Sequence, residues 1–91
     1  MTKIGRRCIV SGKVQGVFYR QSTKEQALQR NLTGWVKNLA DGSVEVLMFG
    51  EEASVQDMLQ WLAVGPKRAV VTSLEVNEAP IEPYDTFEIT R

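Results

Sequence analysis

The sequence predicts an α+β fold in which two helices cover one face of a small antiparallel sheet. Three observations predict it. Strand and helix patterns follow one another in the order β-α-β-β-α-β, with one short strand after them. Apolar and polar residues alternate in the strand segments, which marks strands with one covered face. A length of 91 residues gives one core and no second lobe, so residues 1–91 are expected to form a single domain. This order is that of the ferredoxin-like split β-α-β sandwich, and the short C-terminal strand extends it.

Residues 6–13, with β-branched Ile9 and Val10, read as the first strand. It runs into Gly12-Lys13-Val14-Gln15-Gly16-Val17-Phe18-Tyr19-Arg20, a loop with glycines four apart. Ser22-x-x-Glu25 has the form of a capping box and predicts a helix from near Ser22 to Arg30, with Asn31 as a left-handed cap. Thr23, Ala27 and Leu28 are its inward candidates. Two strands follow, about 34–39 and 43–49, joined through the hairpin signal Asp41-Gly42. Val44, Val46 and Met48 alternate with Glu45 and Leu47, which predicts one buried face. Val55, Met58, Leu59 and Leu62 recur at helical spacing, Glu51 and Glu52 favour the N-terminus of that helix, and Gly65-Pro66 stops it. Val70, Thr72, Leu74 and Val76 alternate in a fourth strand, and a loop with Pro80 and Pro83 leads to a last strand at Phe87-Glu88-Ile89. Trp35 and Trp61 read as core or rim residues at strand and helix spacing.

The composition, 43% hydrophobic and 24% charged, argues against disorder, and no apolar run nears the roughly 20 residues that cross a bilayer. Cys8-Ile9-Val10 is too short for the core of a signal peptide, so a cytoplasmic protein is expected. Cys8 is the one cysteine and lies in a strand, which favours a buried structural thiol. There is no histidine, which removes the commonest general base and the commonest zinc ligand. Net charge is zero but uneven. Residues 1–38 hold eight Lys and Arg against one acid, Glu25, a net +7, and the remainder is net −7. A positive half fits an anionic ligand drawn by long-range field, unless the two halves interleave on folding.

The loop at 12–20 has the composition of an anion cradle. Glycines between a strand and a helix let backbone N–H groups and the positive end of the helix dipole converge, and Arg20 offers a planar fork that matches phosphate oxygens. An ordinary tight turn with a surface arginine is the alternative. With no histidine, no cysteine in the loop and no carboxylate cluster for a metal, such a site could hold a phosphoryl group without supplying a nucleophile or a strong base. Water would attack, and a leaving group that needs no proton would be favoured. A carboxylate, whose conjugate acid has a pKa of about 4, meets that demand better than an alkoxide.

The same run resembles the first signature of the acylphosphatase family, Gly-x-Val-Gln-Gly-Val-x-(Phe or Tyr)-Arg. Gly34-Trp35-Val36-Lys37-Asn38 with Gly42, Val44 and Gly50 matches the second signature at its full spacing. The resemblance implies metal-free hydrolysis of acyl phosphates to a carboxylate and inorganic phosphate, with no cofactor. By it, Arg20 falls on the phosphate-binding arginine and Asn38 on the asparagine that orients the attacking water. Gln15, Gly16, Val17, Phe18 and Tyr19 fall on loop positions that bind through their backbone, with Phe18 and Tyr19 expected to anchor the loop in the core. On residue type alone, a turn residue ahead of Asp41-Gly42 is the favoured reading of Asn38, and the paired signature reverses it. The expected partners are the small-molecule acyl phosphate and inorganic phosphate, with no nucleic acid and no membrane, and the expected state is a monomer. The rival readings are a non-catalytic anion-binding module and an RNA-binding ferredoxin-like module. The second lacks the aromatic run on its third strand, where residues 43–49 hold one aromatic and a glutamate.

Overall fold

The computed structural model describes residues 2–90. Its elements are β1 (Lys3–Lys13), α1 (Tyr19–Gln29), β2 (Thr33–Asn38), β3 (Val44–Glu51), α2 (Glu52–Leu62), β4 (Val70–Glu78) and β5 (Phe87–Ile89). The five strands form one sheet in the order β4-β1-β3-β2-β5. The four long strands pair antiparallel, as the ferredoxin-like order requires. The short fifth strand pairs parallel to β2, with Gly34 opposite Phe87 and Val36 opposite Ile89, so the sheet is mixed at that edge. No described helix is long and apolar enough to cross a membrane.

Strand parity decides what faces the helices. Cys8 and Val10 of β1, Val44, Val46 and Met48 of β3, Val36 of β2 and Phe87 of β5 are all fully buried. Beneath α2 those of β1 and β3 meet Val55, Met58 and Leu62, the apolar stripe predicted for that helix. α1 lies over β2 and β5, and α2 over β1 and β3. Each fully buried Val, Leu or Met side chain in this layer contributes about 1.5–3 kcal/mol of transfer free energy.

The predicted single buried face of β3 requires correction, because both of its faces are covered. Leu47 sits between Arg7 and Trp35 in the register, and the ring of Phe49 stacks on Tyr84 with centroids 5.7 Å apart. Glu45 is buried on that same face between two basic partners. Arg7 Nε donates to one carboxylate oxygen at 2.5 Å, and Lys37 Nζ lies 3.7 Å from the other. The loop between β4 and β5 folds back to supply Tyr84, a long-range event that alternation cannot report.

The start of α1 also differs. The helix begins at Tyr19, three residues before the predicted capping box, and no side chain caps it. Leu28, expected inward, is exposed, while Thr23 and Ala27 are buried as predicted. Asn31 does adopt the left-handed conformation, with φ 57°. Gly12 shows why a glycine is needed where β1 bulges against β4. A Cβ there would sit 2.1 Å from the Val70 carbonyl oxygen, and its φ is 121°.

Candidate active site

Between β1 and α1 the backbone leaves its donors unused. Gly16 has φ 74° and Phe18 φ 62°, and the first helical hydrogen bond runs from Ser22 N–H to the Phe18 carbonyl at 3.0 Å. Among the described residues, the amides of 15–21 therefore donate to no backbone carbonyl. Left-handed residues separated by an ordinary one favour converging N–H groups, and the N-terminus of α1 adds its dipole at the same place. At Gly16 a Cβ would meet nothing within 4 Å, so the glycine answers to its φ alone. Phe18 has no such excuse. A bulky residue held left-handed stores on the order of 1–3 kcal/mol, strain of a kind that clusters at functional sites.

Two side chains hold this loop from outside. Gln15 Nε2 donates to the Leu39 carbonyl at 2.9 Å and to the Ser43 carbonyl at 2.8 Å, tying the loop to the hairpin that follows Asn38. Tyr19, fully buried, donates its hydroxyl to the Leu62 carbonyl at 2.7 Å and packs its ring 5.7 Å from Trp61. Burial, with a smaller push from Cys8, drives the Tyr19 hydroxyl well above its ordinary pKa, so it remains a donor. Tyr19 is the core anchor predicted for it. Phe18 is not, because 73% of its surface is exposed.

Asn38 shares strand parity with Gly34 and Val36 and so faces the helix layer, toward the start of α1. A cleft of about 330 Å³ brings Arg20 and Asn38 together with Gly16, Phe18 and Tyr19. Gln15 and Val17 do not line it: Gln15 reaches to the hairpin, and Val17 is buried in the core. Val14, Gln21 and Ile89 line it without having been singled out from the sequence. Ile89 was within reach, since it shares parity with the buried Phe87. A larger cavity, about 520 Å³, lies between Thr33, Phe49 and Tyr84 and contains none of the predicted residues.

The electrostatics separate Arg20 from the other charges. Arg7 and Lys37 pair with Glu45, and Arg30 pairs with Asp57, so the basic and acidic halves of the sequence do interleave. Arg20 forms no ion pair or hydrogen bond among the described residues. Asn38 Oδ1 is buried with no partner, a condition it shares with Thr23 Oγ1 of α1. Free amides, a free guanidinium and an unsatisfied amide oxygen thus border one cleft, a set suited to a phosphoryl group and an adjacent water. Cys8 is fully buried, and desolvation pushes its thiol up to about 12 against a weaker pull from Arg6, so it is no nucleophile at neutral pH. No group of three or more His, Cys, Asp or Glu among the described residues could hold a metal ion.

The sequence matches the acylphosphatase family over residues 6–89. It is 45% identical to an acylphosphatase of Pseudomonas paraeruginosa over 91 residues, the whole of both chains. Its fold superposes on an acylphosphatase structure from Coxiella burnetii with a TM-score of 0.93 at 41% identity, covering 97% of this chain and 93% of the other. The corresponding figures for the Bacillus subtilis acylphosphatase crystal structure are 0.94, 37%, 97% and 99%. With its two signatures, its split β-α-β sheet and its loop of free amides beside an arginine, the chain belongs to the acylphosphatase family, hydrolases that act on acyl phosphates.

Proposed function

We propose that this protein hydrolyses acyl phosphates by direct attack of a water oriented by Asn38 on a phosphoryl group held by Arg20 and the amides of residues 15–20. The observation that carries the reading is the coincidence, in one cleft, of an arginine without a partner and a buried, unpartnered Asn38 oxygen. The Asn38 oxygen accepts a hydrogen from the water and aims its lone pair at phosphorus. The loop amides and the Arg20 fork meet the charge on the equatorial oxygens, where a loose phosphoryl-transfer transition state carries it. A new P–O bond forms to water while the bond from phosphorus to the acyl oxygen breaks. The electron pair leaves with a carboxylate, which needs no proton at neutral pH. An amide is too weak a base to take the proton of the water, so it ends on the phosphate.

No metal or cofactor enters this scheme. The chain works as one domain, as a monomer in the cytoplasm, on a small acyl phosphate rather than a nucleic acid or a membrane.

Two substitutions test the roles. Asn38→Ala lowers kcat by about 10²-fold or more, roughly 3 kcal/mol, with little change in competitive inhibition by inorganic phosphate. Arg20→Ala weakens both catalysis and phosphate inhibition, and Arg20→Lys restores little because the charge returns without the fork. A folded Asn38→Ala with near-normal kcat, or an Arg20→Ala with normal phosphate affinity, would refute the assignment. Turnover should also survive exhaustive chelation.

A further inference from the structure

The cleft has an apolar side that phosphate binding does not use. Phe18 is the most exposed large hydrophobic residue among those described, at 73%, and it stands on the cleft that contains Arg20. It belongs to no core cluster, and it is held in left-handed backbone at φ 62°. A glycine at this position would remove both the exposed ring and the strain, so folding alone gives no reason for the phenylalanine. Val14 and Ile89 border the same cleft, and Arg20 is the one charged side chain among its described lining residues.

We infer that Phe18 determines which acyl group the enzyme accepts, and that the preferred substrates carry an uncharged, apolar and above all aromatic acyl group. This rests on the reading of the cleft as the phosphoryl site. With the phosphoryl group fixed by the loop amides and Arg20, the acyl part points out of the cleft past its rim. An aromatic acyl group packs on the Phe18 ring and removes apolar area from water on both partners, whereas a methyl group is too small to do so. A second anionic group on the acyl part finds no cation besides Arg20 among the described lining residues.

The test compares kcat/KM for benzoyl phosphate and acetyl phosphate. In Phe18→Ala the benzoyl-to-acetyl ratio falls about tenfold, equivalent to about 1.4 kcal/mol, and the fall appears in KM for benzoyl phosphate. Phe18→Gly, suited to the left-handed backbone, gives the same fall if alanine proves too unstable to assay. Phe18→Trp keeps the ratio within about twofold of the native value. An unchanged ratio in a Phe18→Ala or Phe18→Gly enzyme that still turns over and is still inhibited by inorganic phosphate overturns the inference alone. Failure of the native protein to hydrolyse either compound overturns the functional reading and this inference with it.

Discussion

The two turns tied together by Gln15 are built on opposite principles. The hairpin turn between β2 and β3 closes on itself. Leu39 N–H donates to the Ser43 carbonyl at 2.8 Å, Gly42 N–H to the Leu39 carbonyl at 3.2 Å, and Asp41 Oδ1 accepts from both the amide and the hydroxyl of Ser43. The loop at 15–18 makes no such bonds and carries a strained Phe18. One turn spends its polar groups on its own stability; the other keeps them free and is held by Gln15 and Tyr19, whose partners lie elsewhere in the chain. A binding loop must leave donors over, and rigidity then has to come from neighbours.

Cutting an anchor of the open loop should therefore hurt more than cutting a bond inside the closed turn. The largest effect is expected from Tyr19→Phe, which leaves the buried Leu62 carbonyl without its donor. It should cost about 1–3 kcal/mol, a drop of several degrees or more in Tm by thermal denaturation. A Tm within a degree of the native value would show that the hydroxyl is not an anchor. Gln15→Ala comes next. It removes two neutral hydrogen bonds, about 0.5–1.5 kcal/mol each, and it unties the loop from the hairpin beside Asn38. Urea unfolding should register the stability loss, and kcat should fall about tenfold while phosphate inhibition changes less. Equal loss of both would mean that Gln15 shapes the cradle rather than its alignment with Asn38.

The closed turn should give the smallest effect. Hydrogen bonds from the Ser43 hydroxyl and then from its amide hold the Asp41 carboxyl below its usual pKa. A carboxylate depressed in the folded state stabilises the fold above its unfolded pKa of about 3.9, and that contribution fades as pH falls through the lower folded value. The gap in urea midpoint between native and Asp41→Asn should thus be small at pH 7 and shrink further at pH 3, with kcat unaffected. A gap that widens on acidification would mean the carboxylate is not the stabilised form.

Local chemistry was legible in the sequence, and the distant ties were not. The hairpin at Asp41-Gly42, the stripe on α2 and the left-handed Asn31 each depend on neighbours a few residues away, and each is found as read. Ser22-x-x-Glu25 misled because the loop starts the helix from Tyr19, with Phe18 already turned left-handed, so the capping sequence lies inside the first turns. Phe18 and Tyr19 look interchangeable as adjacent aromatics. Only the direction of the first helical turn sends one into the core and leaves the other at the rim. Arg20 and Asn38 could be singled out from the signatures, but the support from Gln15 comes from residues 24 and 28 positions away, which no local pattern encodes.

The parallel pairing of β5 with β2 has a kinetic meaning. It brings Ile89 to a cleft whose other wall starts at Val14, so the site closes the longest loop among its parts. Contacts of such long sequence separation are slow to form, because the entropy of closing the loop comes before the reward of the contact. On this ground the cleft is expected to be completed late in folding, together with the β1–β4 ladder of similar sequence separation, so that a partly folded chain containing both signatures has no finished site. Recovery of ligand binding in a refolding experiment marks the end of folding, after the signals of helix formation and collapse have levelled off.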